Sequence, residues 1–220
     1  MPEISISAEL KTLFPKLRLG CIQANVVVAQ SGGGLLVDIQ QQIKLIQQSL
    51  IIEDISKINA IDASRKAYKA CGKDPARYRL SAEALLRRVV SGKGLYQINN
   101  VVDQLNLVSV ISGFSIGGYD AYKIQGAICL GIGHADEPYT GIGRGELNIE
   151  NLPVFRDELG AFGTPTSDSQ RTEVSSDTNN FLMILIDFGR LDEFNIAKGI
   201  AVRLLKDYCQ ATNINEYNIG

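Results

Sequence analysis

The sequence predicts an α+β fold, with helices mainly in the N-terminal half and strands mainly in the C-terminal half. Before residue 113, apolar residues recur at spacings of three and four, the helical period. Beyond it they recur at a spacing of about two, between turns that contain Gly, Pro and Asp. The longest apolar runs, such as "FLMILIDF" at 181–188, end within about eight residues, where a bilayer span needs roughly 20. With 220 residues, 45% hydrophobic and 21% charged, the chain has an ordinary globular composition. That length suffices for one well-formed core, and residues 1–220 are expected to form a single domain.

Taken in order, "ISIS" (4–7) reads as a short strand, residues 8–14 as a short helix and "LRLGCIQANVVV" (17–28) as a longer strand. "QSGGGL" (30–35) reads as a flexible turn. A phosphate-binding P-loop would end in Lys-Ser/Thr, and Leu35 and Leu36 follow these glycines instead. From about Val37 to Ala70 the pattern is helical: Ile39, Ile43, Ile46 and Leu50 form one stripe, with Gln40, Gln41, Gln47 and Gln48 facing outward. A break is expected near "NAIDAS" (59–64), where Asp62 or Ser64 would cap a second helix. Ser81 opens the next helix, with Glu83 in its first turn and Leu85, Leu86, Val89 and Val90 as the apolar face. "SGKG" (91–94) stops it. A further helix from about Asn100 to Ile111 ends at Gly113, a natural C-terminal cap. "SIGGYD" (115–120), "AICLGIG" (127–133), "LPVFRDEL" (152–159) and "FLMILIDF" read as strands, and a helix from about Asp192 to Cys209 closes the chain.

Composition excludes several function classes. "MPEISISAEL" has no basic region ahead of an apolar one, so no signal peptide is expected and the protein is placed in the cytoplasm. Cys21, Cys71, Cys129 and Cys209 lie dozens of residues apart without C-x-x-C pairs, and read as free thiols in a reducing compartment. His134 is the sole histidine. No metal site and no cofactor are expected. A net charge of −2 argues against DNA binding held by bulk charge. The distribution is uneven, however. Between Arg65 and Lys93 stand nine basic residues against Asp74 and Glu83, while 134–193 carries 12 acidic residues against four arginines. The basic segment forms either a face that meets phosphates or a solvated helical face with its partners elsewhere.

"GFSIG" (113–117) spells the G-x-S-x-G nucleophile elbow. That elbow requires a strand before the serine and a helix after it. Here a helix precedes Gly113 and an extended segment follows Gly117. Ser115, Asp120 and His134 also lie too close in sequence for the usual sheet to assemble them. The stretch therefore reads as a turn, not a serine-hydrolase site.

The wider window "INNVVDQLNLVSVISGFSIGGYDAYKIQG" (98–126) resembles the tRNA-editing domain of the phenylalanyl-tRNA synthetase beta subunit, formed by that subunit's third and fourth structural modules. Ile98 through Asp103 match that family's Ile-Asn-Asn-Val-Val-Asp without a gap, Asn106 matches its helical Asn, and Asp120, Lys123 and Gly126 match the end of its His-Ala-Phe-Asp segment. "RYRLSAEALLRRVVSGKGL" and "SDSQRTEVSSDTNNFLMILID" are similar to free-standing bacterial members, so the resemblance centres on 77–187, with 1–76 and 188–220 as less defined parts. Gly117 stands where the family places its pocket histidine, and Gly118 and Tyr119 replace Ala and Phe. The family's pocket glutamate is expected around 184–186, where no carboxylate stands before Asp187. The motifs of the ATP-binding aminoacylation domain are absent, so the resemblance does not imply a ligase.

Two readings follow. In the first, the chain binds a mischarged aminoacyl-tRNA and hydrolyses its ester, with Arg77, Arg79, Arg87, Arg88 and Lys93 on the tRNA. The aminoacyl group would sit in a pocket of Asn106, Ser115, Gly117, Gly118 and Tyr119, where glycines admit close backbone approach. In the second, it is a non-catalytic binding module for tRNA, an amino acid or another small ligand.

Overall fold

The computed structural model describes residues 2–220, with all their side chains except that of Leu191. The elements are β1 (Ile4–Ile6), α1 (Ala8–Leu13), β2 (Arg18–Asn25), α2 (Gly33–Ser49), α3 (Asn59–Ala70), α4 (Ser81–Val90), α5 (Asn100–Ser112), β3 (Ile116–Asp120) and β4 (Ile128–Ile132). There follow β5 (Thr140–Gly141), β6 (Gly145–Glu146), β7 (Pro153–Asp157), β8 (Gly160–Gly163), β9 (Asn180–Asp187), α6 (Leu191–Cys209) and β10 (Thr212–Ile219). The fold is α+β, with helices concentrated before residue 113 and strands after it; β1, β2 and α6 are the exceptions.

Two four-stranded sheets organise the chain, ordered β1-β4-β7-β8 and β10-β2-β9-β3. The second sheet divides two cores. Along β9, Phe181, Met183 and Leu185 point into the core under α2, α4, α5 and α6, while Leu182, Ile184 and Ile186 point into the core shared with the first sheet. Because both faces are covered, the strand reads as one apolar run rather than an alternating one.

Several local expectations are corrected. Gly33 and Gly34 begin α2 instead of forming a flexible turn. The Leu35, Ile39, Ile43 and Ile46 stripe buries against the core, and that packing outweighs the poor helix propensity of glycine. Neither Asp62 nor Ser64 caps α3: Ser64 bonds back to the Ala60 carbonyl at 2.8 Å, and Asp62 pairs with Lys66. Ser81 opens α4 as expected, and its N–H donates to the Pro165 carbonyl. The sequence reading missed β8, β10 and the two-residue strands β5 and β6. β10 is an edge strand with mostly exposed residues, so "TNINEYNI" carries little apolar signal.

The Ile98–Asp103 segment is a structural clamp. Asn99 caps α5, accepting from the Val102 N–H at 2.9 Å. Asn100 is buried; its Oδ1 accepts from the Ala29 N–H at 2.8 Å, and its Nδ2 donates to the Val27 and Tyr208 carbonyls, each at 2.9 Å. Asp103, also buried, accepts from the Ile98 N–H at 2.9 Å and the Ser31 hydroxyl at 2.6 Å. One turn of helix thereby holds the exit of β2, the approach to α2 and the end of α6. Gly113, at φ +76, ends α5 and turns the chain into β3.

Asn100→Ala would strand three backbone groups, so we predict a loss of about 3–5 kcal/mol of stability. Asn99→Ala removes a single cap and should cost about 1 kcal/mol. Urea denaturation of both variants measures the contrast, and equal losses would contradict the clamp.

Candidate functional site

A cavity of about 190 Å³ lies between α4, α5 and the free edge of β3. Leu85, Val102, Leu105, Ile116 and Phe181 give it apolar walls; Ser81, Asn106, Ser109, Asp168 and Glu173 supply polar groups, and Gly118 forms part of the wall. Asn106 follows Val102 by one helical turn, which brings both onto one face of α5. Ser109 is committed to the Phe114 carbonyl at 2.8 Å. Asn106 is half-buried on the cavity wall, and its side chain makes no hydrogen bond to the described residues. It is a free amide facing the cavity.

Asp168 is a titratable residue of the cavity wall that sequence reasoning missed. It accepts from the Gly118 N–H at 3.1 Å through Oδ2 and from the Tyr119 hydroxyl at 2.9 Å through Oδ1. β3 is an edge strand, so the carboxylate takes a backbone donor that no neighbouring strand occupies. Burial raises its pKa to about 7, although both hydrogen bonds favour the ionised form and pull the other way. The signal available beforehand was the segment "SDSQRTEV", which holds both Asp168 and Glu173.

The expected pocket residues separate. Asn106 and Gly118 line the cavity, whereas Ser115, Gly117 and Tyr119 do not. Alternation along β3 explains the split, since Gly117 and Tyr119 face the other core. Tyr119 is fully buried there, packed edge-on against Phe162 with ring centroids 4.9 Å apart. Its phenol oxygen lies against Gly117 and Gly163, and a side chain at either position would collide with it. Tyr119 thus fills the space that a histidine at 117 would need. Ser115 is buried with its hydroxyl unpartnered among the described residues, and His134 is exposed in a turn, so the G-x-S-x-G match assembles no nucleophile. Ile184, Leu185 and Ile186 are all buried apolar residues, and Asp187 accepts from the Gly189 and Arg190 N–H groups, fixing the turn into α6.

The basic segment also divides. Glu83 is buried and gathers Arg65 at 2.8 Å, Arg87 at 3.0 Å and Arg79 at 3.7 Å. Arg79 and Arg87 are therefore partly spent on structure, within the basic cluster itself. Arg77 sits 5.6 Å from the Tyr78 ring. Arg88 stacks at 3.9 Å over Tyr96 and shares a stripe of α4 with the cavity residues Ser81 and Leu85. Lys93 is exposed in the loop between α4 and α5.

Among the described residues, no group of three His, Cys, Asp or Glu side chains could hold a metal ion, and no helix is long and apolar enough to cross a membrane. Burial pushes the Cys21 and Cys209 thiols up to about 12, which leaves them protonated and inert.

Two sheets packed with a helical layer, with a small cavity at a strand edge, define a mixed α+β domain. The sequence model of the B3/4 domain, a domain found in the phenylalanyl-tRNA synthetase beta subunit, matches residues 63–209. The chain belongs to the B3/4 domain family. Among solved structures, it is similar to an N-terminal fragment of the phenylalanyl-tRNA synthetase beta subunit from Pyrococcus horikoshii, with 15% identity and a TM-score of 0.48 over 99% of this chain. The chain spans 50% of that fragment's length. A comparison with curated proteins gives no match.

The Asp168 carboxyl carries a pH signature. The folded chain holds its proton up to about pH 7, whereas the unfolded chain releases it near about pH 4, so this group destabilises the fold progressively as pH rises between those values. We predict that wild type loses stability relative to Asp168→Asn across that window. Urea midpoints measured for both from about pH 4 to about pH 8 test this; parallel curves would contradict it.

Proposed function

We propose that the protein binds the aminoacylated end of a tRNA in the cavity between α4, α5 and β3, and hydrolyses the ester of a mischarged species. The observation that carries this is the pairing of an uncommitted amide, Asn106, with a near-neutral carboxyl, Asp168, on the wall of an apolar cavity. The volume fits one ring-sized side chain: a dry apolar cavity of about 150 Å³ accepts benzene, and this one is about 190 Å³. Asn106 would orient the acyl group. Asp168, whose pKa burial raises to about 7, would take a proton from water as it attacks the ester carbonyl and pass it to the ribose oxygen as the acyl carbon–oxygen bond breaks, releasing amino acid and tRNA. That role does not need the histidine that Tyr119 excludes from position 117. Family membership supports a tRNA-related, editing-type module at the coarse level.

The same reading treats residues 1–220 as one domain, because β1 and β2 from the N-terminal part complete both sheets. It places the protein in the cytoplasm with tRNA as its partner. Gly117 and the apolar residues at 184–186 favour a second reading, a binding module that retains the pocket without turnover.

Deacylation of correctly and wrongly charged tRNAs, including tyrosyl-tRNA specific for phenylalanine, separates the two. We expect hydrolysis of at least one mischarged species, rising as pH passes about 7, with a drop of about 10²-fold in Asn106→Ala and in Asp168→Asn. Binding of charged tRNA without hydrolysis selects the binding module. Absence of binding overturns both.

A further inference from the structure

Beside the cavity mouth lies an open groove of about 380 Å³ between α2 and the loop joining α4 to α5. Gln40 and Gln47 of α2 form one wall, and Lys93, Tyr96 and Gln97 of the loop form the other. No acidic side chain lines it. Gly92 and Gly94, at φ +77 and +62, bend the loop so that Tyr96 is displayed rather than buried.

Tyr96 remains 54% exposed although the Arg88 guanidinium lies 3.9 Å over its ring. Arg88 covers one face, and Tyr96 offers the rest of its ring to solvent. The Arg88 Nε is buried without a hydrogen-bond partner among the described residues, so stacking is what holds the guanidinium there. An aromatic ring backed by a cation, flanked by amides and a lysine, suits a nucleobase: every base presents a π-face, amides read base edges, and lysine meets phosphate.

We propose that this groove binds single-stranded RNA, one base stacking on Tyr96 and the backbone passing Lys93. The assignment deepens the aminoacyl-tRNA reading and rests on it for the direction of the strand. Ile98, two residues beyond Tyr96, lines the cavity, and Arg88 lies on the α4 stripe that also carries Ser81 and Leu85. The loop thus runs from the groove, lined by Gln97, directly to the cavity wall at Ile98. Gln47 already donates to the Val89 carbonyl at 2.9 Å and braces α2 against α4, which leaves Gln40 and Gln97 as the base-edge readers.

Fluorescence anisotropy with the full chain and a labelled single-stranded RNA of about 12 nucleotides, within the usual range of site sizes, tests this. We expect Tyr96→Ala to weaken binding at least about fivefold and Tyr96→Phe to leave it near wild type, because stacking needs only the ring. Lys93→Ala, in an exposed loop, should reduce the slope of log affinity against log salt by about 0.7, the value for one phosphate on a single strand. No single-strand binding, equal binding of Tyr96→Ala, or equally tight binding of a duplex would each overturn the groove. If charged tRNA binds wild type and Tyr96→Ala alike while Asn106→Ala alters deacylation, the groove fails and the pocket reading stands.

Discussion

The structure depends on the hydrogen bonds of one buried amide. Asn100, in the first turn of α5, sits where the exit of β2 and the last turn of α6 converge, and its side chain satisfies backbone groups of both. Buried backbone donors and acceptors without partners are costly, and chain segments that leave regular elements have few means of satisfying them. An asparagine supplies both a donor and an acceptor from one position, which no apolar residue can do. Asp103 repeats the arrangement one turn later for Ile98 and Ser31. The consequence for function is geometric: with its first turn fixed, α5 presents Asn106 to the cavity at a defined height and rotation.

The sheet ordered β10-β2-β9-β3 then sorts chemistry between its two faces. One face of β3 gives Gly118 to the cavity, and the other gives Gly117 and Tyr119 to the inter-sheet core. The Tyr119 hydroxyl links the two sides by donating to Asp168, whose other oxygen holds the Gly118 N–H. A departure from the family pattern at 117 thus goes together with one at 119. The phenol occupies what the missing imidazole would need, and its hydroxyl anchors a carboxyl at the cavity wall.

Much of this was legible in the sequence. The change of period near Gly113, the α5 boundaries and the apolar β9 run follow from spacing and capping chemistry, and the Ile98–Asp103 motif located the family. Of the residues that motif named, Asn106 and Gly118 line the cavity, whereas Gly117 and Tyr119 face the other side of β3 because a strand sends neighbouring residues to opposite faces, and Ser115 is buried ahead of the strand. Asp168 was missed because its partners lie 49 and 50 residues away in sequence. The basic segment looked uniform, yet one buried glutamate binds three of its arginines: Arg79 and Arg87 at i,i+4 spacing, and Arg65, which reaches it from α3 and could not be read from spacing.

The central claim is that the cavity bounded by Asn106 and Gly118 is where an aminoacyl group binds. Titrating isotope-labelled protein with a non-hydrolysable aminoacyl-adenosine amide, while following amide resonances by NMR, tests it most directly. The account predicts that the Asn106 side-chain amide and the Gly118 backbone amide shift first and together, with Gly163, behind Tyr119, little changed. Shifts confined to residues away from this cavity, or none at saturating ligand, would contradict it.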